Sequence, residues 1–395
     1  MPSVCLYFQV HQPRRLRRYS VFDTSPDYFD DERNAEIIRR VAHKCYLPAN
    51  RLLLELIERH EGRFRVAFSL TGVVYEQFRM WVPEVIDSFQ RLNETRCVEF
   101  LDETYYHSLS FLYSRQEFRE QVEMHRALMK KLFGQEPRVF RNTELIYNND
   151  LAQFISHMGY DAILAEGADH VLGHRSPNFV HRPPHTPNLR LLLKNYRLSD
   201  DIAFRFSDRR WPQWPLTADK FAAWVDQING NGFVCNLFMD YETFGEHHWI
   251  DTGIFEFLRY LPAAILRNPD NNFLTPSEVI DRYAPAGDID VPNMTSWADT
   301  ERDLSAWLGN AMQSSAQHEL YKLEGAVKAS GDPKLLEDWR QLTSSDHVYY
   351  MCTKHFADGE VHRYFNPFES PYDSYIAFAN VLDNLRARAG LYVAR

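Results

Sequence analysis

Cysteine is scarce in this chain and follows no pattern. The five residues Cys5, Cys45, Cys97, Cys235 and Cys352 are odd in number, widely scattered and form no C-x-x-C pair. That argues against a disulfide framework or a zinc ribbon and predicts reduced, partly buried thiols. Long apolar runs are missing too: none approaches the roughly 18 to 20 residues a membrane-spanning helix needs. The opening Met1-Pro2-Ser3-Val4-Cys5 lacks the basic and then apolar layout of a signal peptide. The chain therefore reads as soluble and cytoplasmic, with no membrane partner. Basic charge is in the minority, with 44 Lys and Arg against 54 Asp and Glu, and a net charge of −10 argues against a nucleic-acid partner. The one basic cluster, Arg14-Arg15-Leu16-Arg17-Arg18, is short and reads as a solvated loop. There is no internal repeat, no low-complexity segment and no long Gly/Ser linker between residues 270 and 300.

What is present suits a globular enzyme. The 395 residues, 45% of them hydrophobic, can bury the core of one large domain and a smaller one. Aromatic residues make up 14% of the chain, including 8 Trp and 21 Tyr. Most must be core, but rings with a polar handle also suit a ligand that is apolar on its faces and hydroxylated at its rim, as a sugar is.

Short apolar runs recur, each followed by polar residues and a helical pattern, as in β/α units around a parallel sheet. They are Val4–Val10, Phe64–Leu70, Val98–Leu101, Val139–Phe140, Ala162–Leu164, Leu189–Leu193 and Phe233–Met239, about seven strands. Ser114-Arg115-Gln116-Glu117 predicts a capping box opening a helix that Gly134 would stop. Thr217 predicts a cap for a helix burying Phe221, Trp224, Val225 and Ile228, and Thr275-Pro276-Ser277-Glu278 repeats the capping box with Pro at the first helical position. Residues 170–215, rich in Pro, His, Arg and Trp, read mainly as long loops over one face. After about residue 290 amphipathic patterns take over at 302–330, 333–345 and 372–389. The expected organisation is an α/β barrel over 1–290 with a helical region, 291–395, packed on it.

In a parallel β/α barrel, functional side chains gather where strands hand over to loops at the C-terminal face. That rule brings forward His11 after the first run, Glu99 in the third, Glu144 just past Phe140-Arg141-Asn142-Thr143, and Asp240 after the seventh. A retaining glycosidase needs two carboxyl groups about 5 to 5.5 Å apart, one to attack the anomeric carbon and one to protonate the departing oxygen. Position alone does not select the pair, because Glu103, Glu166, Asp201, Glu242 and Asp299 also lie near strand ends or in loops.

The segments His11-Gln12-Pro13, Val98-Glu99-Phe100-Leu101, Arg141-Asn142-Thr143-Glu144-Leu145, Phe238-Met239-Asp240-Tyr241-Glu242-Thr243-Phe244-Gly245-Glu246-His247 and Ser296-Trp297-Ala298-Asp299-Thr300-Glu301 occur in one order. It resembles that of the five signature regions of glycoside hydrolase family 57, in the α-amylase branch. Asn195–Phe206 resembles that branch as well, so the likeness spans roughly residues 4–310. The resemblance implies a retaining enzyme on an incomplete (β/α)7 TIM-like barrel followed by helices, acting on the α-1,4 bonds of α-glucan or maltooligosaccharide. It assigns Glu144 as nucleophile and Asp240 as acid/base, His11 and Glu99 as substrate contacts, and places Trp297 where the family supplies sugar contacts. The second region of the family carries Gly three positions before its Glu, where this chain has Arg96. Some members of the branch lack one or both catalytic carboxylates; both are present here.

Each candidate has a plainer reading. His11 could be a satisfied core histidine and Glu99 a strand-end ion-pair partner. Trp211 and Trp214, in a Pro-stiffened loop, suit either a ligand or domain packing, whereas Trp224, Trp307 and the stripe from Leu304 to Leu323 read as core. His247 and His248 beside Asp240 and Glu242 resemble a metal cluster, but no complete metal spacing such as H-E-x-x-H is present. No metal or other cofactor is expected, and His247 is carried as a substrate-contact candidate with Trp211. The rival functions are 4-α-glucanotransfer on the same scaffold, less readily branching, a noncatalytic glucan-binding protein and a metal-dependent carbohydrate deacetylase. Nothing in the sequence sets the oligomeric state.

Overall fold

The computed structural model describes residues 2–354 and 366–391. Seven strands follow the apolar runs: β1 Ser3–Val10, β2 Val66–Leu70, β3 Val98–Phe100, β4 Val139–Arg141, β5 Ala162–Glu166, β6 Arg190–Lys194 and β7 Val234–Asp240, with a short β8, Asn272–Phe273. All named pairings are parallel, in two sheets ordered β3-β2-β1-β7 and β4-β5-β6, with β8 beside the start of β1. At one seam the sheets meet through an isolated bridge, Asp102 to Phe140, and at the other the Asn195 amide donates to the Asn236 carbonyl at 2.9 Å and Asn236 Nδ2 to the Leu193 carbonyl at 2.9 Å. The incomplete TIM-like barrel expected from the sequence is therefore what the chain forms.

The strands read as continuous apolar runs because both faces are buried. Along β1, Val4, Leu6, Phe8 and Val10 pack outward on the helices, whereas Cys5 and Tyr7 belong to a different cluster with Ala67, Val139, Ala162, Leu192 and Phe238 inside the barrel. That is the two-residue alternation of a strand. The register sets Gln9 level with both Ser69 and Asp240, so the strand ends open at one mouth.

The helix Arg115–Phe133 begins as expected, with Ser114 accepting from the Glu117 amide and Gly134 closing it at φ 68°. Its capping box is only half formed, however, because the Glu117 carboxylate does not turn back to the cap. It is fully buried and accepts instead from Arg340 Nε at 2.8 Å and Nη2 at 3.1 Å, with Lys328 Nζ at 2.8 Å. A barrel helix is thus bolted to the C-terminal helices by a buried ion pair. Both cations also pair with Glu120, and Lys328 with Glu324, so Glu117→Ala removes charge-assisted bonds without stranding them and is expected to lower unfolding free energy by about 1.5 to 3 kcal/mol, read by denaturant titration. The box at Thr275 and Glu278 forms in full.

Among the described residues the later helices are Ser305–Leu308, Ala311–Lys322, Glu324–Ala329, Pro333–Gln341, Ser345–Tyr349 and Pro371–Arg388. Their apolar faces make a core around Trp307, Leu320, Trp339 and Phe378 that also takes in Leu16, Tyr19, Tyr28, Leu109 and Ile146. Among the described residues no helix is long and apolar enough to cross a membrane.

Candidate active site

A cavity of about 720 Å³ opens at the C-terminal ends of the strands, bordered by His11, His107, Arg141, Glu144, Asp240, His247 and Trp297. Glu144 sits in the turn Thr143–Leu145 directly after β4, with φ 58° and ψ 24°. A left-handed Glu costs on the order of 1 to 3 kcal/mol and persists only when its surroundings fix it. Here they do. The Trp297 amide donates to the Glu144 carbonyl at 3.2 Å, and Tyr147 and Thr295 pair as an antiparallel bridge, fastening the two segments together. His107, Asp299 and Arg302, also at the cavity, share the left-handed backbone at φ 53°, 54° and 53°.

Both carboxylate oxygens of Glu144 are held. His107 Nε2 lies 3.0 Å from Oε1, and Trp297 Nε1 donates to Oε2 at 2.7 Å. The other His107 nitrogen, Nδ1, is 3.3 Å from Glu103 Oε2, and Glu103 also accepts from Gln9 Nε2 at 3.2 Å. Burial pushes His107 down, but its bonds to the two carboxylates outweigh this and carry it up to about 9. Burial likewise pushes Glu103 and Glu144 up, yet His107 and Arg141 prevail, bringing Glu103 down to about 2 and holding Glu144 below the ordinary carboxylate value. Two anions and a protonated imidazole thus form one bonded chain.

Asp240, the last residue of β7, shifts the opposite way. Burial, and then the charge of Glu144, raise it to about 6 against the opposing pull of Arg141, Lys194 and His107. Two residues on, Glu242 is buried, accepts from the Tyr46 hydroxyl, and is pushed up to about 8 by burial and the Asp240 charge. His11 stacks on His107 with ring centroids 4.0 Å apart. Its Nδ1 is 2.9 Å from Thr71 Oγ1 and its Nε2 2.9 Å from Asp346 Oδ2. Burial and the neighbouring His107 hold its pKa below the usual value despite Asp346.

The sequence candidates therefore divide. His11, Glu144, Asp240, His247 and Trp297 meet at the cavity, with His247 pushed down to about 4 by burial. Trp297 is committed through its N–H to Glu144, and Arg141 and Lys194 lie over its ring at 4.9 and 5.3 Å. Glu99 does not reach the cavity. It faces the N-terminal end of the barrel, where its carboxylate accepts from the Ser277 amide at 2.9 Å and hydroxyl at 2.5 Å, so its local role is to anchor the helix Pro276–Arg282. Arg96 before it has φ 57°, so the turn keeps the left-handed backbone a glycine would favour. Trp211 also lies outside the cavity, edge-on to Trp224 at 6.1 Å.

Sequence reasoning missed His107, Arg141 and Asp346 as site residues. His107 stands four residues after Glu103 with no distinguishing pattern, and Asp346 is 335 positions from His11. Among the described residues no cluster of three or more His, Cys, Asp or Glu is placed to hold a metal ion.

Glu144, held below the ordinary carboxylate value, and Asp240, raised to about 6, thus border one cavity at the mouth of a parallel barrel, where such folds gather their functional side chains. The model of glycosyl hydrolase family 57 matches residues 5–292, and the chain belongs to that family. A protein of Methanocaldococcus jannaschii, named provisionally as an alpha-amylase, is 45% identical over 389 residues, covering 95% of this chain and 82% of its own length. Among solved structures, the family 57 branching enzyme of Pyrococcus horikoshii superposes with a TM-score of 0.71 at 14% identity, covering 99% of this chain and 95% of that one. The 4-alpha-glucanotransferase of Thermococcus litoralis gives 0.64 at 14% identity, covering 98% of this chain and 60% of that longer one. At such identity these two likenesses concern the fold.

Proposed function

We propose that this glycoside hydrolase cleaves the α-1,4-glucosidic bonds of α-glucans or maltooligosaccharides with retention of configuration. The observation that carries the reading is that Glu144, gripped on both oxygens by His107 and Trp297, and Asp240 border one cavity, where their surroundings push the two proton affinities apart. Glu144, ionised and held by His107 and Trp297, attacks the anomeric carbon while Asp240 gives its proton to the glycosidic oxygen. The carbon–oxygen bond breaks, leaving a glucosyl ester on Glu144 and a free sugar hydroxyl. Asp240, now a carboxylate, takes a proton from water as that water attacks the same carbon and releases Glu144. The relative named as an alpha-amylase supports α-glucan as the substrate class.

Activity needs Glu144 deprotonated and Asp240 protonated. As pH rises through about 6 Asp240 loses its proton, so kcat/KM should fall with an apparent pKa near that value. As pH falls through the depressed pKa of Glu144 the nucleophile is neutralised, so the acid limb should lie below the ordinary carboxylate range. A pH–rate profile that is flat between 5 and 8 would overturn the assignment, since about 6 lies within that window.

The deciding experiment is product analysis on maltooligosaccharides of defined length, with the anomer followed by NMR. Hydrolysis gives shorter chains, new reducing ends and first-formed α product. Longer and shorter chains at a constant number of reducing ends would instead mean 4-α-glucanotransfer, and binding without any product would mean a noncatalytic glucan-binding protein.

A further inference from the structure

Arg141 closes β4 three residues before Glu144, its side chain is fully buried, and it borders the cavity. Among the described residues none of its three guanidinium nitrogens has a hydrogen-bond partner. Glu103 Oε2 stands 3.8 Å from Nη1, within reach for charge but too far for a hydrogen bond, and that carboxylate is already occupied by His107 and Gln9. A buried donor without an acceptor costs about 1 to 3 kcal/mol, more when charged, so such a group calls for a reason outside the fold.

An anion or a set of neutral hydroxyls could supply the acceptors, and the local charges discriminate between them. Arg141 and protonated His107 face ionised Glu103 and Glu144, two charges of each sign. The other cations nearby, Lys194 and Arg302, are each paired with Asp200, at 2.9 and 3.2 Å, and with Glu166, at 3.6 and 3.4 Å. These cations are offset by carboxylates, with Asp240 a further acid at the same cavity, whereas the Arg141 N–H groups lack acceptors, and an anionic ligand would have to sit against Glu144. A guanidinium presents its N–H groups as a flat fork, which matches two acceptors side by side.

We propose that Arg141 is a substrate-recognition residue whose fork donates to two adjacent hydroxyl oxygens of the neutral sugar ring seated at Glu144 and Asp240. Because Arg141 and Glu144 share one strand and its turn, the grip also sets the anomeric carbon relative to the attacking oxygen. The inference rests on the proposed function for the sugar in the cavity and for the attack by Glu144, while the unpartnered fork of Arg141 stands independently of it.

The test measures binding by calorimetry and initial rates for wild type, Arg141→Lys and Arg141→Met, with maltotriosides deoxygenated at one ring hydroxyl at a time. Each lost charge-assisted bond should weaken binding or kcat/KM about 10- to 100-fold. Wild type should penalise particular deoxy analogues by such a factor, and both variants should lose that discrimination. A variant that is uniformly weaker with unchanged discrimination, or one matching wild type throughout, would overturn the proposal. So would competition between inorganic phosphate and the oligosaccharide in wild type, which would make this an anion site. The wild-type arms need no variant to fold. Discriminating binding without new reducing ends would leave the Arg141 assignment standing and remove the hydrolase reading. Hydrolysis without discrimination would do the reverse, and a wild type that neither binds nor cleaves would remove both.

Discussion

Glu144→Gln and Asp240→Asn are each expected to lower turnover of maltooligosaccharides by at least about 1,000-fold, roughly 4 kcal/mol of transition-state stabilisation, with little change in melting temperature. The two losses should differ in kind. With an aryl glycoside whose leaving group needs no protonation, Asp240→Asn should still form the glucosyl ester, whereas Glu144→Gln cannot. External azide should partly rescue Glu144→Ala on such a substrate by supplying the missing nucleophile. A third readout follows from the bonded chain. Glu144 is one of the two carboxylates that raise His107 to about 9, so in Glu144→Gln the imidazole should titrate at lower pH by NMR. Near wild-type turnover in either variant would sink the pair, and an unchanged His107 titration would deny the coupling.

The fold was legible because its signals are local. Seven strands buried on both faces leave apolar runs that no outside context is needed to read, and the observed bounds differ from those runs by at most two residues at either end. Glu144 and Asp240 come forward for a related reason, each lying just past such a run, but it is the resemblance to the family's signature regions that singles them out among the other acids. Glu99 shows where the rule fails. Its strand is only Val98–Phe100, so Glu99 lies within it, level with Ala67, and not at its outgoing end. Two steps of the alternation further on comes Glu103, about 13 Å along an extended chain, with Leu101 packed in the barrel interior between them. The mouth therefore receives Glu103, and Glu99 goes to the opposite end. Trp211 illustrates the second gap: an indole in a loop carries no mark saying whether it will meet a ligand or another indole, and here it meets Trp224. Contacts such as His11 with Asp346 are written in neither partner's neighbourhood, since they depend on how the late helices settle over the mouth.

That dependence leads to the other large effect. Truncation after residue 290 is expected to give insoluble or inactive protein, assayed by soluble yield and by release of reducing ends. Leu16, Tyr19, Tyr28, Leu109 and Ile146 would lose the partners that bury them. Restoring water to a buried apolar side chain costs about 1.5 to 3 kcal/mol, so five of them amount to roughly the whole net stability of a typical domain. The site would be dismantled as well. Glu144 would lose the Trp297 N–H on Oε2, His11 would lose Asp346, and the His107 carbonyl would lose the Ser345 amide that donates to it at 2.9 Å. A milder change separates these effects from folding. Trp297→Phe keeps an aromatic ring beside Arg141 and Lys194 but removes the donor, so Glu144 should become easier to protonate and the acid limb of the pH profile should move upward while the protein stays folded. If residues 1–290 alone were soluble and fully active, the barrel would be sufficient for catalysis, and the late helices would need another role, with self-association the first to test.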